Sequence, residues 1–216
     1  MQSLRTRSIS AFTRIELLVT IACVLATLAI LLPTLARSKA RSSRVGCTNG
    51  LKQIGLSSWS WTLDNNGHFP MQVSVTNGGT MELVASGLVF PHFRVMSNEL
   101  STPRILVCPE DKHKAYATNF DSDLNDAKIS YFINVDAVEG SGSSLLCGDR
   151  NLTNKARAGS RFVCLSSTSV IGWSKEMHRE KGNLCFANAH VAAFINGAVA
   201  SVVRIPAGVT NRLAVP

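Results

Sequence analysis

Glu16 is the only acidic residue among the first 63 positions, and it stands at the mouth of a long apolar run. The chemistry open to a carboxylate there is ion pairing. Left unpaired, a charge costs about 2.5–3.5 kcal/mol at mid-bilayer and less near the interface. Glu16 therefore calls for a cationic partner. The other residue sets are weaker. Of six cysteines, Cys23 lies in the apolar run, where a small thiol packs as a hydrophobe. Cys47, Cys108, Cys147, Cys164 and Cys185 would face an oxidising compartment on export. Five is odd, so at least one stays free or pairs with another molecule. Cys47 with Cys108 is one candidate disulfide, closing a long loop, but spacing does not fix the connectivity. No C-x-x-C occurs, so no metal site is expected. His68, His92 and His113 are scattered, and His178 and His190 flank one predicted strand as hairpin and loop residues. Asp121, Asp123 and Asp126 are spaced loosely like a calcium loop, without the Gly and distal Glu of an EF-hand. They read as a solvated acidic loop. Ser141-Gly142-Ser143-Ser144 lacks a phosphate-loop lysine. Gly148-Asp149-Arg150-Asn151 reads as a turn held by an Asp149–Arg150 or Asp149–backbone contact. A hydrolase using Asp149 or His178 is the weakest reading. No catalytic residue and no cofactor are expected.

The element that positions Glu16 is the apolar run. From Leu17 to Leu32 only Thr20 and Thr27 are polar. With Phe12, Ile15 and Leu35 the segment reaches about 20 residues, enough to cross a bilayer as a helix. Two processing routes fit. A secretory signal would be cut after the run, where Thr34 and Ala36 offer small residues. The alternative cut, between Ala11 and Phe12, leaves the helix on the mature chain. The formal charge is +8, and losing Arg5 and Arg7 with a leader leaves +6 on side chains. Arg37, Lys39, Arg41 and Arg44 cluster just past the run. They read first as a solvated or headgroup-binding helix face and second as a site for DNA or another polyanion. The cluster runs against the positive-inside rule, since only Arg5, Arg7 and Arg14 oppose it.

Ala11-Phe12-Thr13-Arg14-Ile15-Glu16, after a short basic leader and before an apolar helix, resembles the type IV prepilin signal. That pattern has a small residue before the cut, then Phe-Thr-Leu-Ile-Glu. Ala11 replaces the usual Gly, and Arg14 replaces an apolar residue. Arg14 can snorkel to headgroups, but in a filament core it would need a counter-charge. The resemblance implies cleavage between Ala11 and Phe12 by a prepilin peptidase and N-methylation of Phe12. By the same resemblance, Thr13, Ile15 and Glu16 would serve peptidase recognition and assembly, and Glu16 of one subunit would pair with the Phe12 amine of its neighbour. Pro33 falls where pilin helices often bend.

Cys47-Thr48-Asn49-Gly50-Leu51-Lys52-Gln53-Ile54-Gly55-Leu56 and Asp64-Asn65-Asn66-Gly67-His68-Phe69-Pro70 are similar to pseudopilin-type proteins of Verrucomicrobia and Planctomycetes. Cys108-Pro109-Glu110-Asp111 resembles their Cys-Pro-x-Asp motif. Phe186-Ala187-Asn188-Ala189-His190-Val191 resembles their Phe-Ala-Asp-Gly-His-Val, with Asn188 and Ala189 replacing Asp and Gly. Ala189 resists positive φ, so a longer or strained turn is expected there.

The helix is expected to continue to Asp64. Gly46 and Gly50 weaken it locally, and Cys47, Leu51, Ile54, Ser58 and Trp61 form a stripe broadened by Leu56, Trp59 and Leu63. That stripe needs a sheet to cover it. Strands are predicted over residues 104–108, 129–135, 144–148, 161–165, 169–173, 183–187, 191–195 and 198–205. Asn196-Gly197 reads as a hairpin turn. A short helix is expected near Met81–Ser86, and residues 113–126 read as a polar loop.

The expected fold is α+β, a long N-terminal transmembrane helix packed on an antiparallel sheet, pilin-like. The parts are a leader (1–11), a membrane half-helix (12–35), a soluble half-helix (36–64) and a β-rich domain (65–216). The expected partners are a prepilin peptidase, other pilin-like subunits and inner-membrane lipid, with nucleic acid not expected. The product is a subunit of a type II secretion or type IV pilus-like filament. The alternative is a permanently anchored periplasmic binding module.

Overall fold

The computed structural model describes residues 13–139, 144–153, 160–167, 169, 171–196, 203, 205 and 210–216, without the side chains of residues 36 and 40. The chain divides into two compact units, Met1–Ser42 and Ser43–Pro216. Helix α1 (Arg14–Asp64) contributes to both.

In the first unit the described side chains of the helix are exposed. Ile15, Leu18, Leu25, Ile30 and Leu35 each keep more than 60 % of their surface open. Ile15 to Leu35 makes about 31 Å of helix at roughly 1.5 Å per residue, which matches a hydrocarbon core of about 30 Å. One helix of the described residues is thus long and apolar enough to span a membrane. The three threonine hydroxyls inside it donate to backbone carbonyls. Thr20 bonds Leu17, Thr27 bonds Val24 and Thr34 bonds Leu31, at 2.7–2.8 Å. Each hydroxyl is therefore satisfied without water. The helix runs on through Pro33.

In the second unit Cys47, Leu51, Ile54, Ser58 and Trp61 are buried, as the spacing predicts. Leu56, Trp59 and Leu63 are not; they keep 48 %, 46 % and 63 % of their surface. At 100° per residue Leu56 sits far round the helix from Ile54, so these three form an outer face instead of a wider inner one. The helix stops where polar turn residues predict. Gly67 N–H donates to the Thr62 carbonyl at 2.9 Å and Asn65 Nδ2 to Trp61 at 2.8 Å. Asn66 and Gly67 take positive φ of 55° and 78°.

The sheet has six antiparallel strands: β1 (Tyr131–Asn134), β2 (Leu145–Asp149), β3 (Phe162–Leu165), β4 (Lys181–Phe186), β5 (Val191–Ile195) and β6 (Asn211–Ala214). Their order is β3-β6-β1-β2-β4-β5. The fold is α+β, one long apolar N-terminal helix and an antiparallel sheet. Both sheet faces are covered. One carries Tyr131, Ile133, Cys147 and Cys185 in a core shared with Cys47, Leu51 and Ile54 of α1. The other packs Phe132, Leu184, Phe186 and Leu213 with Trp173 and Ile171.

Three strand expectations need correction or fall elsewhere. Residues 104–108 do not form a strand. Pro103 opens a 3-10 turn (Pro103–Leu106), and the Thr102 hydroxyl accepts from Arg104 N–H. Proline presets the turn geometry and removes a ladder donor. Among the described residues of 169–173 there is a single bridge, Leu152 to Trp173. The side chain of Asn196 occupies the place of a partner strand there, accepting from Trp173 N–H at 2.6 Å and donating to its carbonyl at 3.3 Å. Most of 198–205, and Gly197 of the expected hairpin, lie outside the described residues. Strand β6 was not foreseen. Met81–Ser86 is a 3-10 helix, followed by the short helices α2 (Phe90–Arg94) and α3 (Ser97–Leu100).

Candidate functional site

Two groups of polar residues stand out, one in each unit. The first opens α1. Thr13 N–H and Thr13 Oγ1 both donate to Glu16 Oε2, at 2.8 and 2.7 Å, and Glu16 N–H donates back to Thr13 Oγ1 at 3.3 Å. This is a capping box, the S/T-x-x-E pattern that satisfies orphan amides at a helix start. Thr13-Arg14-Ile15-Glu16 spells that pattern outright. The signal was present in the sequence beside the charge argument, which gave Glu16 only an intermolecular task. Glu16 Oε1 makes no hydrogen bond among the described residues. Ala11 and Phe12 lie outside the described residues; Thr13, Ile15 and Glu16 form the first turn.

The second group is buried where α1 meets the sheet. Cys47 of α1 and Cys108 form a disulfide, with Cα atoms 4.9 Å apart. His178 Nε2 lies 3.3 Å from Cys108 Sγ and 3.5 Å from Asp149 Oδ2. Glu110 lies 2.9 Å from His178 Nδ1 but off the N–H direction, so it makes a charge contact and leaves Nδ1 without a hydrogen bond. Asn183 N–H and Nδ2 both donate to Asp149 Oδ2, at 2.7 and 2.8 Å, while Asp149 Oδ1 has no donor. Burial pushes the Asp149 carboxyl up to about 7, despite the Asn183 bonds. Burial also lowers His178, with Glu110 opposing and Arg44 adding to the shift. Near neutrality the His178 imidazole is therefore mainly neutral, and the Asp149 carboxyl is divided between its two protonation states.

Arg150 does not pair with Asp149. It turns to Asp111, with bonds of 2.7 and 2.9 Å, and to Glu176 at 3.1 Å. Ser130 adds a hydroxyl to Asp111 at 2.9 Å. Burial raises the Asp111 carboxyl, but these bonds outweigh it and hold it below its ordinary value. The backbone beside His178 is unusual. His178, Arg179 and Glu180 take successive φ of 53°, 52° and 62°. Each non-glycine residue in that region costs about 1–2 kcal/mol.

Cys47, Cys108 and His178 bring their ligand atoms within 4.8 Å of one another, a spread that a metal ion could use. Metal binding needs thiolates, and the disulfide engages both sulfurs. Cys47 and Cys108 are the candidate pair of the sequence, whereas no spacing signal brings His178, 70 positions beyond Cys108, to them. His190 joins no such group; it stacks on Phe186. Two of the three aspartates of the polar loop have separate tasks. Asp123 takes Thr118 N–H, Thr118 Oγ1 and Lys128, and Asp126 Oδ1 takes Val89 and Phe90 N–H at 3.0 and 2.9 Å. His92 is buried, with Nδ1 2.7 Å from Thr80 Oγ1. His68 and His113 sit at surface turns. Cys23 and Cys164 are exposed, and Cys147 and Cys185 are buried as free thiols. Comparison with known proteins gives no match to any family model, curated protein or solved structure.

Proposed function

We propose that this chain is a non-enzymatic, pilin-like subunit. A prepilin peptidase removes Met1 to Ala11 and methylates Phe12. The apolar helix then holds the subunit in the inner membrane with Ser43–Pro216 on the periplasmic side. Assembly joins it to other pilin-like subunits in a type II secretion or type IV pilus-like filament. The observation that carries this reading is an uncovered, membrane-length helix whose first turn holds the only acid among the first 63 residues. The capping box occupies Oε2 alone. Oε1 is left for a neighbour's amine, and that pairing offsets the desolvation of both charges.

A second reading has its own support. A cap gives Glu16 a task inside its own chain, so a permanently anchored binding module needs no neighbour. Glu16→Gln separates the two, because glutamine keeps a capping box and removes the charge. On the filament reading, Glu16→Gln is processed to a methylated Phe12 by mass spectrometry yet is lost from sheared surface filaments. Normal assembly of this variant, or a mature chain beginning at Met1, overturns the filament reading.

A further inference from the structure

Cys147 of β2 and Cys185 of β4 are directly opposed in antiparallel register. Both are wholly buried on the same sheet face, and Cys185 Sγ donates to the Phe186 carbonyl at 3.6 Å. Opposed residues of antiparallel strands have Cα atoms about 4.5 or 5.5 Å apart. Disulfides accept about 4.4–6.8 Å between Cα atoms and about 3.5–4.5 Å between Cβ atoms; opposed Cβ atoms lie about 4.5–5.5 Å apart, so closure draws the two strands slightly together. The register shift between Leu145 and Cys147 places an irregularity beside the pair, and bulges deepen local twist and give strands freedom to adjust. Helix α1 presents Gly55 here. A Cβ at that position would stand 2.6 Å from Cys185 Sγ, so the helix makes room for sulfur.

We propose that Cys147 and Cys185 form a second disulfide, a cross-strand bond closed during folding before α1 covers the sheet. Two S–H bonds are lost and one S–S bond forms. Two protons and two electrons pass to an oxidised disulfide partner, which becomes two thiols. Closure precedes helix docking because the folded pair is shielded from any thiol reagent. In the cell this rests on the export reading above, since a reducing compartment would keep the pair as thiols. The odd cysteine count then resolves: outside the membrane run, Cys164 on the outermost strand β3 is the one thiol left over.

The test is to refold the reduced full chain in detergent micelles with mixed reduced and oxidised glutathione. Free thiols are alkylated under denaturing conditions and the peptides mapped. The proposal expects a linked Cys147–Cys185 peptide pair, with Cys23 and Cys164 alkylated. Alkylated Cys147 and Cys185 overturn it, whatever the state of Cys47 and Cys108. The same digest of protein isolated from membranes reports the mature N-terminus. A start at Met1 counts against the filament reading and leaves the refolding result intact.

Discussion

Asp149 and His92 are buried titratable residues that act on stability in opposite directions. The Asp149 carboxyl stands at about 7, against an ordinary value of 3.8. Between those limits the folded chain holds a proton that the unfolded chain has released, so stability falls as pH rises. Burial lowers His92 to about 4 from 6.5. Between those limits the unfolded chain holds the extra proton, so stability rises with pH. From pH 4 to 6.5 the two slopes oppose each other. Asp149→Asn keeps an oxygen for the Asn183 donors and abolishes one slope. Its stability relative to wild type should climb from pH 4 to 7, by roughly 4 kcal/mol in all at about 1.4 kcal/mol per pH unit. Denaturant midpoints across that range measure it, and a constant difference would mean that Asp149 is ionised in the fold. At this scale the sequence shows contacts between near neighbours. Thr13 and Glu16 are three residues apart, and the pattern of their cap is written in order. Asp149–Asn183 and Cys108–His178 span 34 and 70 positions. Only the folded topology brings them together.

Glycine has opposite effects at two places on α1. A Cβ at Gly46 would meet Pro109 alone, Cγ at 3.4 Å and Cδ at 4.0 Å, both ordinary contacts. Gly46→Ala should therefore stabilise, approaching the roughly 1 kcal/mol that alanine gains over glycine in a helix. A Cβ at Gly55 would lie 2.6 Å from Cys185 Sγ and 3.1 Å from Ala189 Cα. Overpacking of about 1–3 kcal/mol outweighs the propensity gain, so Gly55→Ala should destabilise. Thermal melts of both variants in micelles would show shifts of opposite sign. The expectation that glycine simply weakens this helix omitted what the glycines face; at Gly50 the Ile105 carbonyl and Tyr131 hydroxyl come within about 3 Å of that position. Strands β1 to β5 are legible because apolar and β-branched residues stand between turn formers. Strand β6 is short, and Asn211 and Arg212 give it a polar start, so its identity comes from pairing with β1 and β3. Ala189 adopts φ 58° in the β4–β5 turn, the strained outcome its side chain implied.

At the scale of the whole molecule, the Cys47–Cys108 disulfide fastens α1 to a segment 61 residues further along the chain. Closing a loop of that length removes unfolded-state entropy worth about 4 kcal/mol. Cys47→Ala with Cys108→Ala should lower unfolding free energy by about that amount, and reductant, which also opens the proposed Cys147–Cys185 bond, should bring wild type below the double variant. Urea unfolding followed by tryptophan fluorescence measures both, since Trp61 and Trp173 are buried in the two cores. The fold class was readable from the apolar run and the strand spacing. The side of α1 turned outward was not, because Leu56, Trp59 and Leu63 are as apolar as the residues that face the sheet.

His178, Arg179 and Glu180 form a short stretch wound against the natural hand of L-amino acids. Such a stretch behaves like a latch held under tension: neighbouring attractions keep it shut, and its own backbone favours springing open. Those attractions centre on the His178 imidazole beside Cys108 and on the Arg44 guanidinium, which donates to the His178 carbonyl at 3.4 Å. Weakening them would free this corner ahead of the rest of the sheet, so the earliest opening of the unit Ser43–Pro216 should begin here, next to its sulfur cross-link.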